Sequence, residues 1–172
     1  MARWGIADGE MAGVNRELAI LGVGNMNALE TLAWAILTFE GFKPGTKAWR
    51  HNNPGNLRSS NFALRVEEGY AVFREFSDGW MALCADLKAK CKGAPFTRSG
   101  LGPDSTLLQL IKVWAPSSDN NKPDEYAKFV AEFCAKALRR EITVETTLRQ
   151  LQTEPPAVIA QSDIPVAHWG ES

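Results

Sequence analysis

Apolar residues recur at helical spacing between Asn27 and Gly41. At about 100° per residue, one stripe of this segment takes in Leu29, Ala33, Ile36 and Glu40. Asn27 is suited to cap the first turn, with Glu30 three residues later, and Gly41 is suited to the left-handed conformation that ends helices. The pattern therefore predicts a central helix that runs to Glu40 and places a carboxylate in line with its core face.

Helical spacing returns in five further segments. They are residues 8–21, the segment from Ser77 to a stop at Gly93, the segment from a Ser105 cap to Pro116, the segment from Pro123 to Leu138, and residues 144–151. The three cysteines, Cys84, Cys91 and Cys134, fall on these apolar faces. Because their number is odd and no C-x-x-C occurs, we expect small core residues and neither disulfides nor a zinc site.

Turn-forming residues fill the stretch after the central helix, including the run NNPGN at 52–56. Within this run, Gly55 is expected to supply a backbone angle that other residues avoid. Two short extended segments follow, Phe62 to Val66 and Tyr70 to Phe73, and EEG separates them. They predict a small hairpin, which has too few strands for a sheet core. The predicted fold class is therefore α+β, mainly α, with a small β-hairpin lobe.

The domain organisation follows from length and composition. Residues 1–152 are expected to form a single domain, which is long enough to bury a substantial core. Residues 153–172 contain three prolines and no hydrophobic periodicity. They are expected to form a flexible C-terminal tail without a core of its own.

Charge and hydropathy exclude several classes of partner. The formal net charge is -1, so no global field favours nucleic acid or a membrane surface. Lysines and arginines cluster only between Lys43 and Arg58, which indicates either a solvated loop or an anion-contacting surface. The first residues lack a secretory signal, and glycine, asparagine and glutamate interrupt the apolar stretch from Leu18 to Phe39. We expect synthesis in the cytoplasm, no transmembrane segment, no nucleic-acid partner, no cofactor or metal, and a monomer.

Glu40 is the leading candidate for chemistry. Burial on the apolar stripe, the negative end of the helix dipole and the flanking Phe39 and Phe42 would all raise the pKa of its carboxyl. A carboxyl group held protonated near neutral pH can act as a general acid in glycosidic bond cleavage. The basic cluster that begins at Lys43 would lower the pKa if it lay close. The alternative is a partly exposed surface glutamate at a helix end.

The order of short motifs resembles a known family. FEG at 39–41 is followed by NNPGNLR at 52–58 and YAVF at 70–73, and then by LLQLIKVWAP at 107–116, Asn120 and Tyr126. This order is similar to that of the lytic-transglycosylase-like branch of the lysozyme-like superfamily, which contains phage and bacterial peptidoglycan-cleaving proteins. The resemblance covers about residues 28–138. It implies a lysozyme-like domain with the active-site cleft beside the hairpin lobe.

The resemblance also assigns roles to particular residues. Glu40 would protonate the glycosidic oxygen, and Asn53 and Asn56 would bind substrate beside the cleft. Asn120 and Tyr126 would lie on the opposite wall, Tyr126 orienting the sugar or Glu40 itself. The residues alone leave other interpretations open, because both loop asparagines could simply form a turn and Tyr126 could belong to the core edge. Trp114 is predicted as core and His51 as a turn residue.

The second carboxylate that glycoside hydrolases use is not evident. The candidates are Glu67, Glu68, Glu75, Asp78 and Asp119. A single glutamate fits lytic transglycosylation, in which the muramyl 6-hydroxyl of the substrate replaces water, but a muramidase stays open. The resemblance and the missing signal suggest a phage endolysin or a virion-associated lysin. The alternative is a non-catalytic virion or wall-binding module on the same scaffold.

Overall fold

The computed structural model describes residues 27–153. The predicted first helix at 8–21 and the predicted tail beyond Thr153 lie outside the described residues. Within the described range the chain is mainly helical, with one two-stranded antiparallel sheet. The coarse prediction of an α+β, mainly α, protein is therefore confirmed.

The central helix, α1, spans Ala28–Phe39 and begins as predicted. The Asn27 side chain accepts from the backbone N–H of Glu30 at 2.9 Å, and the Glu30 carboxylate accepts from the N–H of Asn27 at 3.1 Å. The two bonds form a capping box, which satisfies backbone donors that the first turn leaves unpaired.

The end of α1 positions the candidate acid. Glu40 is the C-cap, and Gly41 follows in the left-handed region with φ +67°. The N–H of Gly41 donates to Thr38 and that of Phe42 donates to Leu37, at 3.2 and 3.3 Å. This is the Schellman arrangement, and it turns the chain away directly after Glu40.

The elements after α1 are α2 Lys47–Arg50, β1 Arg65–Glu67, β2 Tyr70–Val72, α3 Phe76–Lys92, α4 Leu107–Trp114, a 3-10 turn at Ser117–Asp119, α5 Pro123–Leu138 and α6 Leu148–Gln152. The short helix α2 and the 3-10 turn lie in segments that were predicted as turns and loops, and the other elements follow the predicted order. The Ser105 cap was wrong by one residue. Thr106 caps α4 and forms a capping box with Gln109, while the Ser105 hydroxyl accepts from the N–H of Gly102 at 3.1 Å. The helix predicted over 144–151 is shorter and begins at Leu148.

The hairpin is shorter than its apolar pattern indicated. β1 and β2 pair with Val66 opposite Ala71, and Glu68 and Gly69 form the connecting turn, both with positive φ. Two consecutive positive φ angles match the twist of a two-residue hairpin. Of the predicted strand from Phe62, only the last residues pair with β2. The hairpin and its preceding loops, residues 42–74, are called the hairpin lobe below.

Two cores hold these elements together. The main core lies between α1, α3, α4 and α5, and among its fully buried side chains are Leu32, Ile36, Leu83, Leu87, Leu107, Leu110, Ile111 and Val130. A smaller core lies under the hairpin lobe and consists of Leu57, Ala71, Phe73 and Ala82. Trp114 packs against both. The end of α1, the last residue of α4 and the start of α5 are thereby brought next to the hairpin lobe.

The cysteines belong to the main core or pack against it, as predicted. Cys91 and Cys134 are buried in the main core and Cys84 is half-buried against it. Burial raises the pKa of the Cys91 thiol to about 11 and that of Cys134 to about 12. Both therefore act as small apolar core residues. Among residues 27–153, no helix is long and apolar enough to cross a bilayer.

Candidate active site around Glu40

The Glu40 carboxylate joins three segments that are distant in sequence. Asn56 of the hairpin lobe donates its side-chain amide to Oε2 of Glu40 at 2.6 Å. The hydroxyl of Tyr126, in the first turn of α5, donates to Oε1 at 3.0 Å. The Glu40 side chain is only partly exposed. Each carboxylate oxygen is thus held by a different wall.

Burial raises the pKa of Glu40 above its ordinary value of 4.5. Hydrogen bonds from Asn56 and Tyr126, with a smaller contribution from Trp114, act in the opposite direction because they stabilise the anion. The basic residues after Gly41 do not contribute. The charge of Lys47 is instead directed at Glu68, with Nζ and Oε2 2.9 Å apart. The predicted rise is therefore confirmed in direction, and its cause is removal of the carboxyl from water.

Tyr126 owes its position to the packing of α5 on α1. Its side chain is 2% exposed, and its ring stacks on Phe39 with centroids 3.6 Å apart and planes 14° from parallel. Burial and the neighbouring Glu40 raise the pKa of Tyr126 well above 10. The phenol therefore stays protonated and remains a donor. Two roles were predicted for Tyr126, to orient the sugar or to orient Glu40. The hydrogen bond from its hydroxyl to Oε1 of Glu40 corresponds to the second role.

Asn53 does not have the predicted role. Its side chain is fully buried, and its amide nitrogen donates to the carbonyls of Leu57 and Ala71 at 2.8 and 2.9 Å. Its amide oxygen accepts from the N–H of Leu57 at 2.8 Å. These bonds tie the loop to strand β2 and leave no atom for a ligand. The expectation that Asn53 binds substrate is wrong, because the residue forms the inside of the loop.

The side chain of Asn56 is directed towards Glu40, whereas that of Asn53 is directed into the loop, and the backbone conformation of Asn56 accounts for the difference. Its φ is +47°, a left-handed conformation that asparagine tolerates better than most residues. Asn52 also has a positive φ, and its amide donates to the carbonyls of Phe73 and Arg74 at 3.2 and 3.1 Å. The loop is thus clamped at Asn52 and Asn53 and presents Asn56 to Glu40.

Gly55 is required for space rather than for its backbone angle. Its φ lies outside the positive region, so the sequence-based explanation was wrong. A Cβ there would lie 2.8 Å from Cδ1 of Leu83 and 3.2 Å from Cζ2 of Trp114. The loop therefore packs directly on α3 and on the last residue of α4. This packing fixes the position of the loop relative to Glu40.

Asn120 lies in the loop between α4 and α5. It is exposed, has a φ of +66° and ends the 3-10 turn. None of its described hydrogen bonds reaches Glu40. Its neighbour Asp119 pairs with Arg58 of the hairpin lobe at 2.7 Å. This ion pair bridges the two walls, so Asn120 stands beside the bridge and its role as a substrate contact stays a prediction.

Trp114 is the site residue that the sequence argument missed. It was predicted as core, and it does pack on both cores, but it is only half-buried and it contributes to the environment of Glu40. The Nζ of Lys90 lies 5.4 Å from its ring centroid. A buried indole N–H needs an acceptor. A tryptophan at the end of an amphipathic helix could have been flagged on that ground.

None of the five candidates for a second carboxylate has a described hydrogen bond with Glu40, Asn56 or Tyr126. Four of them have local partners: Glu67 bonds Arg65, Glu68 bonds Lys47, Glu75 bonds Ser77 and Asp119 bonds Arg58. Asp78 lies in the first turn of α3. No carboxylate is among the groups that shift the pKa of Glu40. Among residues 27–153, no group of three or more His, Cys, Asp or Glu side chains could hold a metal ion.

Comparison with known proteins adds no relative, because no family model, curated protein or solved structure matches the chain. The geometry around Glu40 and the order of the motifs are therefore the two indications of function.

Proposed function

We propose that this chain has a lysozyme-like fold and cleaves the glycan strand of bacterial peptidoglycan, with Glu40 as the general acid and base. One observation carries the proposal. A carboxyl whose pKa is raised by burial stands at a helix end, held by an amide from a hairpin lobe and a phenol from the opposite helix. The motif order from FEG to Tyr126 supports the same function.

The two influences on Glu40 suit two successive steps. Burial favours the protonated carboxyl, which can donate its proton to the glycosidic oxygen as the bond from that oxygen to C1 breaks. Once the proton has left, Asn56 and Tyr126 stabilise the carboxylate through the bonds that they already make. The anion is then the base that receives the proton of the attacking hydroxyl.

Among residues 27–153, no carboxylate is described as a partner of Glu40, and this favours lytic transglycosylation over hydrolysis. Retaining hydrolases hold their two carboxyl groups about 5 Å apart and inverting ones about 6.5 to 9.5 Å apart. No carboxylate influences Glu40 within the described residues. In the proposed reaction the muramyl 6-hydroxyl attacks C1, the C1–O bond to the next sugar breaks, and the hydroxyl proton passes to Glu40. The product is a 1,6-anhydromuramyl end, and Glu40 is ready for the next cycle.

The biological setting that fits this activity is phage-driven wall degradation, by an endolysin or a virion-associated lysin. Its support is the resemblance alone. In either setting the enzyme acts on the wall from a chain made in the host cytoplasm.

The deciding experiment compares Glu40→Gln with the unmodified chain on purified sacculi. We expect the variant to release no soluble fragments while its circular dichroism is unchanged. Glu132→Gln, on the exposed face of α5, is the matched control and should retain full release. Mass spectrometry of the products should detect anhydromuramyl ends. Reducing ends in their place would assign a muramidase, and fragment release by Glu40→Gln equal to that of the unmodified chain would overturn the role of Glu40.

A further inference from the structure

The hairpin lobe is strongly positive although the whole chain is not. Residues 42–74 contain six lysines and arginines and two glutamates, while the formal charge of the whole chain is -1. The acidic residues that balance the lobe therefore lie elsewhere in the sequence. A local excess of this kind attracts anions even when the net charge of the protein is close to zero.

Two cations of the lobe lie against Tyr70, and a third lies near Lys47 on α2. The Nζ of Lys47 lies 4.9 Å from the centroid of the Tyr70 ring, and Cζ of Arg58 lies 5.3 Å from the same point. Arg50 follows one turn after Lys47 on α2, and its guanidinium is exposed and anchored to the carbonyl of Gly45 at 3.0 Å. Attraction to the aromatic ring helps to hold the first two cations at these positions.

Two of the chain's own carboxylates occupy this cluster, and one of them, Asp119, bonds Arg58 at 2.7 Å. Glu68, at the tip of the hairpin, bonds Nζ of Lys47 at 2.9 Å, and its side chain is 60% exposed. The bond to Lys47 lowers the pKa of Glu68, and the charges of Arg50 and His51 act in the same direction. The contacts of Glu68 thus show that this cluster can bind a carboxylate. Because exposed ion pairs contribute little to stability, another carboxylate can replace it at low cost.

The cluster is adjacent to the proposed active site. Arg58 is two residues after Asn56, which bonds Glu40 at 2.6 Å. Asn56 and Arg58 lie on the same short segment between α2 and the hairpin. A polymer that passes over Glu40 therefore brings its side groups near the hairpin lobe.

We propose that Lys47, Arg50 and Arg58 form an anion-binding site for the carboxylates of the peptide stems on the glycan strand, with Glu68 as an internal occupant that the polymer displaces. This inference rests on the proposed function, because it identifies the side groups of the same substrate. It assigns to the lobe a role in binding that is separate from the bond cleavage at Glu40.

The test measures binding without cleavage. All variants are made in the Glu40→Gln background, and their binding to purified sacculi is followed by co-sedimentation at low ionic strength. Glu68→Gln should bind about threefold to tenfold more tightly, and Lys47→Gln with Arg50→Gln should bind more weakly by a similar factor, since each change alters one or two contacts between charges. Both differences should shrink as salt is added.

Matched controls distinguish the effect of the lobe site on binding from the effect of net charge. Glu132→Gln and the pair Lys128→Gln with Lys136→Gln make the same charge changes on the exposed face of α5. We expect them to shift binding much less than the lobe variants do. Equal shifts from the two sets would overturn the proposal. Glu68→Gln retains every cation of the lobe, so it keeps the test decisive if the double variant folds poorly.

The source of the anion is tested on modified sacculi. Amidation of the stem carboxylates with a carbodiimide and ammonia should abolish the differences between variants, whereas removal of phosphate-bearing wall polymers should leave them unchanged. The reverse result would assign the site to wall phosphates and overturn the proposal. Fragment release by the chain with native Glu40 is measured separately, so loss of the proposed activity and loss of the proposed binding are distinguishable.

Discussion

Asn56 donates a hydrogen bond to Glu40 across 2.6 Å, although sixteen residues separate them. The bond links the end of the central helix to a loop that Asn52 and Asn53 clamp to the hairpin lobe. Tyr126 holds the other carboxylate oxygen from α5. Glu40 therefore stands where the lobe and the helical core meet, and each wall controls one of its oxygens.

Removal of the Tyr126 hydroxyl should shift the pH dependence of activity upward. The hydroxyl lowers the pKa of Glu40, so Tyr126→Phe raises it further. Because the acid must be protonated to act, activity falls as pH rises through this pKa, and the falling limb should move to higher pH in the variant. The rate at the optimum should drop by roughly tenfold, because Glu40 loses its orientation.

The measurement is the pH profile of fragment release from sacculi. Tyr70→Phe is the natural control, since the chain contains only two tyrosines and Tyr70 bonds none of the groups around Glu40. Its profile should match that of the unmodified chain. A falling limb that moves to lower pH in Tyr126→Phe would contradict the described role of the phenol.

The raised pKa of Glu40 also predicts how stability depends on pH. The folded chain holds this proton more tightly than the unfolded chain, whose carboxyl has a pKa near 4.5. Below that value both states are protonated and the group has no net effect. As pH rises from 4.5 through the folded pKa, the unfolded state releases its proton first, so the free energy of unfolding falls.

Glu40→Gln should therefore be more stable than the unmodified chain at neutral pH, and the difference should vanish at acidic pH. The glutamine carbonyl can accept from Asn56, and its amide can donate to the Tyr126 oxygen. Thermal unfolding at several pH values measures the effect, with an expected gain of a few degrees at pH 7. Glu132→Gln should be unchanged at every pH; a gain for Glu40→Gln that persists at low pH would assign its cause to packing instead.

Asn53→Ala should destabilise the fold rather than weaken substrate binding. It removes three buried hydrogen bonds, and the N–H of Leu57 and the carbonyl of Ala71 lose their described partner. The carbonyl of Leu57 still accepts from the N–H of Ala71 at 2.8 Å. Each bond contributes about 1 kcal/mol, so we expect a loss of about 3 kcal/mol in the free energy of unfolding by urea. Asn61→Ala, at an exposed turn, should stay within about 0.5 kcal/mol. A stable Asn53→Ala variant with impaired sacculus binding would restore the original interpretation of this residue.

The difference between Asn53 and Asn56 illustrates which features the sequence could predict. The helix start at Asn27 and the stop at Gly41 were predicted because their partners lie within four residues. The two loop asparagines share a residue type and a turn, yet one bonds Ala71 eighteen residues later and the other bonds Glu40 sixteen residues earlier. Left-handed backbone at Asn56 decides between them, and no local pattern encodes it. Trp114 does pack on the core as predicted, but its place beside Glu40 was missed for the same reason, because its neighbours come from two separate cores.

Gly79 should be the least replaceable glycine of the lobe interface. It lies in the first turn of α3, and a Cβ there would stand 1.8 Å from the carbonyl oxygen of Asn52 and 2.9 Å from Cδ of Pro54. Backbone atoms cannot yield as a flexible side chain does, so α3 and the NNPGN loop would have to separate. Gly79→Ala should cost more than about 3 kcal/mol in urea unfolding, well beyond the usual effect of a point mutation.

Gly102→Ala is the matched control for this change. Its nearest neighbour would be Cα of Gly93 at 3.8 Å, an ordinary van der Waals contact, and its φ is not positive. Its free energy of unfolding by urea should equal that of the unmodified chain. If a folded fraction of Gly79→Ala can be prepared, its fragment release should also fall, because the displaced loop carries Asn56 away from Glu40. A Gly79→Ala variant with native stability and activity would mean that the loop does not rest on α3 as described.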